Sequence, residues 1–185
     1  LSSIEPMEVT ADLLGVMQRH KNICHHLHIP LQAGCDKILQ AMGRNYSTAQ
    51  YQEILERVRY TLSDVAISTD IITGFPGETD EDYQSGYHFI EKMEFSKIHI
   101  FPYSVRPGTP AADYPYQVDS QVKKERCKQL ESLTKNLTAA YENRFLGRTV
   151  LVLLEQTCKV AGQQYWQGYT ENYLPVLVAA PEDCK

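Results

Sequence analysis

The sequence predicts an α/β chain over residues 1–145 followed by a small all-β segment over residues 146–185. Three observations carry this. Strand-like runs recur roughly 30–40 residues apart, with amphipathic helical patterns between them. Each run ends in polar or Gly-rich residues, the habit of parallel sheets that bind ligands at strand carboxyl ends. From Thr149 the helical pattern stops and short apolar-aromatic runs take over.

Thr10 can cap a short helix through Leu13, Leu14 and Met17. A strand is expected over His26–Leu31, then a turn of helix around Ile38, Leu39 and Met42, closed by Gly43. Ser47 and Gln50 form a capping box, opening a helix with Tyr51, Ile54, Leu55, Val58 and Leu62 on one face. Val65–Ile72 reads as the next strand. Thr79 and Asp82 make a second box, and Tyr83, Tyr87, Ile90 and Met93 line its helix. Lys97–Phe101 is a third strand, and Leu130, Leu133, Leu137 and Tyr141 mark a long amphipathic helix. After the linker Phe145–Arg148, strands are expected over Thr149–Leu154, Tyr165–Tyr169 and Tyr173–Val178. A complete (β/α)₈ barrel needs about 200 residues or more, so these units suit a doubly wound sheet or part of a barrel.

Composition is that of a globular chain, 43% hydrophobic and 22% charged, and no run of about 18 apolar residues suggests a membrane span. The first residues offer no initiator Met and no signal core, which suggests a chain entered mid-domain. Five cysteines at 24, 35, 127, 158 and 184 form no C-x-x-C pair, the usage of a cytoplasmic protein with free thiols. Net charge is −5, but residues 105–148 carry +3 against −6 before them and −2 after. A basic stretch in an acidic chain suits either a phosphate-bearing partner or a solvated helix face.

The strand ends place Ser2, Ser3 and Glu5, then Gln32, Ala33 and Gly34, then Asp70 through Glu78, then Pro102, Tyr103 and Ser104 on one rim. Gly74-Phe75-Pro76-Gly77-Glu78-Thr79 is its most informative stretch. Its glycines let backbone approach a ligand, Pro76 stiffens the turn, and a helix N-terminus follows. The spacing is neither a P-loop nor G-x-G-x-x-G, and a tight turn without a ligand fits it equally. His26 and His28 share a strand face beside His25, but no third metal ligand of suitable spacing lies near them in sequence, so no metal site is expected.

Together, His28–Cys35, Met42–Tyr46, Ile67–Thr79 and His99–Ala111 resemble the radical S-adenosylmethionine (SAM) methylthiotransferases in content, order and spacing, over essentially the whole chain. The resemblance implies that residues 1–145 are the C-terminal part of a partial (β/α)₆ TIM-like barrel. It implies that residues 146–185 begin a TRAM domain, a small β-barrel that binds RNA. Gly168–Tyr173 is similar to the TRAM motif of the subgroup that adds a methylthio group to carbon 2 of N6-threonylcarbamoyladenosine beside the anticodon of tRNA. By the same resemblance Ser3, Glu5, Gln32, Asp70, Tyr103 and Ser104 line the SAM side, Arg44 pairs with the SAM carboxylate, and Gly74, Pro76 and Gly77 shape the adenine pocket. Lys123, Lys124, Lys128 and Arg148, with Tyr169 and Tyr173 beside Tyr165 and Trp166, would meet tRNA.

One departure matters. The family holds its [4Fe-4S] cluster in a C-x-x-x-C-x-x-C motif, and this sequence has none. The resemblance therefore assigns no catalytic residue and no metal ligand here. It implies that an N-terminal part of the same protein supplies the cluster and that this chain alone is inactive. Open alternatives are an RNA-binding segment without a catalytic role, and a methylthiotransferase acting on isopentenyladenosine or on a ribosomal protein. An unrelated α/β enzyme with a phosphate site is a third.

Overall fold

The computed structural model describes residues 1–179, so the end of the expected all-β segment and Cys184 lie outside the described residues. Two three-stranded sheets organise the chain. The first is parallel, in the order β1 (His26–His28), β2 (Ala66–Thr73), β3 (Lys97–Pro102). Residues 1–4 run beside β1, where His28 N–H donates to Leu1 O and Ile4 N–H to His28 O.

The helices are α1 (Ala11–Arg19), α2 (Asp36–Ala41), α3 (Thr48–Thr61), α4 (Asp80–Lys92) and α5 (Ser120–Asn143). α1, α3 and α4 start where side-chain caps predict them. Thr10 Oγ1 accepts from Leu13 N, and both capping boxes close, Ser47 with Gln50 and Thr79 with Asp82. The core lies between sheet and helices, with Leu14, Met17, Tyr51, Leu55, Ile67 and Phe95 fully buried. Because strand side chains alternate, Ile67, Thr69 and Ile71 point into that core, leaving Ser68 and Asp70 on the opposite, inner face with His28 and His99.

The strand expected over His26–Leu31 is three residues long. Ile29 N–H still donates to Ser68 O, but Leu31 N–H donates to Thr69 Oγ1 at 2.8 Å instead of to backbone, and pairing resumes at a Gln32–Ile71 bridge. The second sheet is antiparallel, β4 (Val152–Val160), β5 (Gln163–Thr170), β6 (Pro175–Ala179). β4 starts three residues later than expected and continues through the polar run 155–159. Its backbone pairing with β5, past a bulge at Leu154/Gln156, outweighs the missing apolar alternation. Ala161 and Gly162 turn the hairpin with φ of 49° and 83°. No described helix is long and apolar enough to cross a membrane.

Candidate functional site

The carboxyl ends of the parallel strands form the rim predicted from sequence. Gly74 leaves β2 at φ 74°, and its N–H donates to Glu78 Oε2 at 2.6 Å across the Phe75–Glu78 turn. A Cβ at Gly74 would stand 2.4 Å from Lys123 Cγ, so only glycine fits between strand and α5. Gly77, at φ 83°, donates to Tyr116 O at 3.0 Å, and Pro76 is buried in the turn. Tyr103 packs edge-on against Phe75, and its N–H donates to Thr73 O. Its hydroxyl is buried without a hydrogen-bond partner, as is Thr73 Oγ1. Two orphaned polar atoms beside a glycine-shaped turn suit a polar ligand at this rim. Gln32 holds φ 71°, fixed by its N–H to Asp70 O and its carbonyl to Ile72 N. A non-glycine residue held there is the kind of strain that collects at ligand sites.

The loop is clamped from below by a buried ion pair. Arg126 of α5 donates to Glu78 Oε2 at 2.6 Å and to Asp80 Oδ1 at 2.7 Å, and its guanidinium lies over the Tyr83 ring. Burial pushes the Glu78 carboxyl up, against the pull of the Gly74 N–H and Arg126. Two donors at 2.6 Å hold it as a carboxylate at neutral pH. Arg126 was not legible as part of the site, since it sits 48 residues from Glu78 on a helix of alternating charge.

Other predicted residues stand differently from the sequence expectation. Arg44 pairs with Glu5 at 3.2 Å rather than standing free, while its Nε is buried and unpartnered. The two line an open cleft of about 310 Å³ with Met7, Gly43, Asn45 and Tyr46. Ser3 and Ser104 are exposed at the edge. Asp70 is turned away from the turn at Gly74: its two oxygens meet His28 Nε2 at 3.2 Å and His99 Nδ1 at 3.1 Å. The expectation that His28 lacks neighbouring ligand groups is thus corrected, because strand pairing brings in side chains 42 and 71 positions downstream.

Among the residues expected to meet RNA, Lys124 and Lys128 are exposed on α5, but Lys123 donates to Tyr103 O at 3.1 Å and lies over the Tyr103 ring. It belongs to the rim. Arg148 is held by Asp64 at 2.5 Å, beside the start of β2. Tyr173 stacks with His26 at 5.0 Å and with Tyr169 at 4.7 Å, while it stays 58% exposed. Asn172 is buried and donates to Tyr141 Oη and Asp64 O, which docks the antiparallel sheet on the parallel one. Gly168 is needed for strand contact, since a Cβ there would lie 2.1 Å from Leu153 O. A cleft of about 510 Å³ separates these residues from the start of β3 and the end of α5.

Residues 3–90 match the model of the radical SAM superfamily. The chain is 37% identical over 184 residues to threonylcarbamoyladenosine tRNA methylthiotransferase MtaB of Bacillus subtilis, covering 99% of this chain and 41% of that protein. It is 43% identical over 154 residues to tRNA-2-methylthio-N(6)-dimethylallyladenosine synthase of Corynebacterium efficiens, covering 83% of this chain and 29% of that one. The chain therefore spans about two fifths or less of these relatives' length. Among solved structures, coproporphyrinogen III oxidase (HemN) from Escherichia coli, described as a radical SAM enzyme, superposes with a TM-score of 0.59 at 17% identity, over 74% of this chain and 32% of that one. That likeness concerns the fold.

Proposed function

Because this chain belongs to the radical SAM methylthiotransferases, we propose that it is part of an enzyme adding a methylthio group to carbon 2 of N6-threonylcarbamoyladenosine next to the anticodon of tRNA. Residues 1–145 are the later βα units of its barrel, and residues 146–185 begin its TRAM module. One observation favours this substrate. The match to the threonylcarbamoyladenosine relative runs through the antiparallel sheet, whereas the match to the dimethylallyladenosine relative covers 154 residues. Identity over the matched residues is higher for the dimethylallyladenosine relative, 43% against 37%, so the reading rests on the extent of the match.

SAM, bound at a reduced iron–sulfur cluster, supplies the radical that activates an unreactive C–H bond. The rim suits its nucleoside end: Gly74, Pro76 and Gly77 give a close-approach turn for adenine, and the orphaned Tyr103 and Thr73 hydroxyls await a polar partner. Gln32, Ser3 and Ser104 are placed for the ribose and amino-acid groups. Arg44 takes the carboxylate when its link to Glu5 opens, a guanidinium fork being suited to that. Asp70 serves the rim through its backbone carbonyl, which fixes Gln32. The cluster does not fit this chain. Its cysteines include no three-thiolate motif, and Cys24, Cys35, Cys127 and Cys158 are all free. Its ligands therefore lie in another part of the protein, and this chain alone yields no 5′-deoxyadenosine. Exposed Lys124 and Lys128 contribute to holding tRNA, which places the work in the cytoplasm.

Nucleoside mass spectrometry of tRNA from cells lacking the gene tests the reading. It expects loss of 2-methylthio-N6-threonylcarbamoyladenosine alone. Loss of the methylthio-dimethylallyl nucleoside instead would transfer the assignment to that substrate, and loss of neither would end it.

A further inference from the structure

We propose that His28, Asp70 and His99 form a binding site for a first-row divalent metal ion on the inner face of the parallel sheet. This does not depend on the substrate assigned above. His28 Nε2, an Asp70 carboxylate oxygen and His99 Nδ1 lie within 4.8 Å of one another, one from each of three adjacent strands. Two imidazole nitrogens and a carboxylate are a donor set that suits Zn²⁺, Co²⁺ or Fe²⁺. Metal–nitrogen bonds of about 2.0–2.1 Å place neighbouring ligand atoms roughly 3 Å apart. The two Asp70 oxygens serve one ring each, Oδ2 at 3.2 Å from His28 Nε2 and Oδ1 at 3.1 Å from His99 Nδ1.

Two features make this more than a hydrogen-bonded trio. First, the His28 ring is held from behind, as a metal-ligating histidine is. His28 Nδ1 meets Ser68 Oγ at 3.0 Å, and the same oxygen meets His26 Nε2 at 3.2 Å, leaving His28 Nε2 aimed at Asp70. Second, the trio opens in one direction. Side-chain exposure rises from 9% at His28 through 26% at Asp70 to 42% at His99. Three ligands from one side with open positions on the other describe a site able to accept a further ligand atom.

Co²⁺ titration of the 185-residue chain tests this, because its visible d–d absorption reports nitrogen and oxygen ligation and Zn²⁺ competes for the same site. The expected result is one Co²⁺ per chain, displaced by Zn²⁺, with affinity reduced on the order of 100-fold in H99Q and D70N and about 10-fold in S68A. H99Q is the decisive variant, since His99 is partly exposed and its loss leaves the core intact. H88Q, altering an imidazole on α4 outside the trio, should bind as wild type. Absence of a stoichiometric band, unchanged affinity in H99Q and D70N, or intense near-ultraviolet thiolate absorption pointing to the cysteines would each overturn the site.

Discussion

Replacing Arg126 with methionine keeps the stem that packs in α5 and removes the guanidinium that holds the turn at Gly74. Glu78 then remains with a side chain only 7% exposed and no cationic partner. Removing one member of a buried pair costs about 3–5 kcal/mol, most of it the desolvation of the charge left behind. The Asp80 arm adds little, because Asp80 is 86% exposed and such contacts are worth about 0–1 kcal/mol. With a urea m-value of ~2 kcal/mol/M, a 4 kcal/mol loss lowers the unfolding midpoint by about 2 M. Adding E78Q removes the stranded charge, while the amide oxygen can still accept the Gly74 N–H. The R126M/E78Q double variant should therefore recover roughly half of the loss, and D80N should cost under about 1 kcal/mol. Urea unfolding followed by circular dichroism reads R126M, E78Q, R126M/E78Q and D80N. An R126M loss below about 1 kcal/mol, or a double variant whose cost is the sum of the singles, would refute the argument that the pair carries the turn.

The His26 ring is held neutral: burial first, with nearby positive charge adding to it, lowers its pKa from 6.5 to about 4. Because the unfolded chain takes up that proton more readily, the stability linked to His26 is complete above about pH 6.5 and drains away as pH falls toward 4. The difference in unfolding midpoint between wild type and H26Q should therefore shrink over that window, and a pH-independent difference would contradict it. N172A removes the donor to Tyr141 Oη and Asp64 O and leaves the buried Thr170 hydroxyl without its acceptor, at a cost of about 1–3 kcal/mol confined to the docking of the antiparallel sheet. Limited proteolysis should cut near residues 145–150 faster in N172A, and an unchanged cleavage rate would count against the docking role.

Much of the fold was legible because its signals are local. A cap and its helix lie within four residues, so Ser47–Gln50 and Thr79–Asp82 announce themselves. The rim was legible for the same reason, as Gly74 through Glu78 is one contiguous turn. What was hidden depends on pairing register. His28, Asp70 and His99 become neighbours only once β1, β2 and β3 align, and no spacing rule connects them. Lys123 reads as a solvated helix lysine until α5 lies across the rim, where its stem fills the space Gly74 leaves open. Tyr169 and Tyr173 carry the aromatic signature of RNA contact, but their stacking on each other, and of His26 on Tyr173, follows only from how the two sheets meet.

Asp64 ties together parts of the chain that are made at very different times. It sits in the turn before β2 at φ 54°, its carboxylate meets Arg148, and its carbonyl accepts from Tyr141 and Asn172, which lie 77 and 108 residues further along. At a synthesis rate of about 5–20 residues per second, Asn172 follows Asp64 off the peptidyl-transferase centre by roughly 5–20 s. Tyr141 emerges first, 77 residues after Asp64, so only the Asn172 contact waits for the whole interval. The early βα units can already bury their core, because Tyr51, Leu55 and Ile67 lie close in sequence. Docking of the antiparallel sheet is thus a late event, closing the longest loops in the chain after the parallel sheet has set.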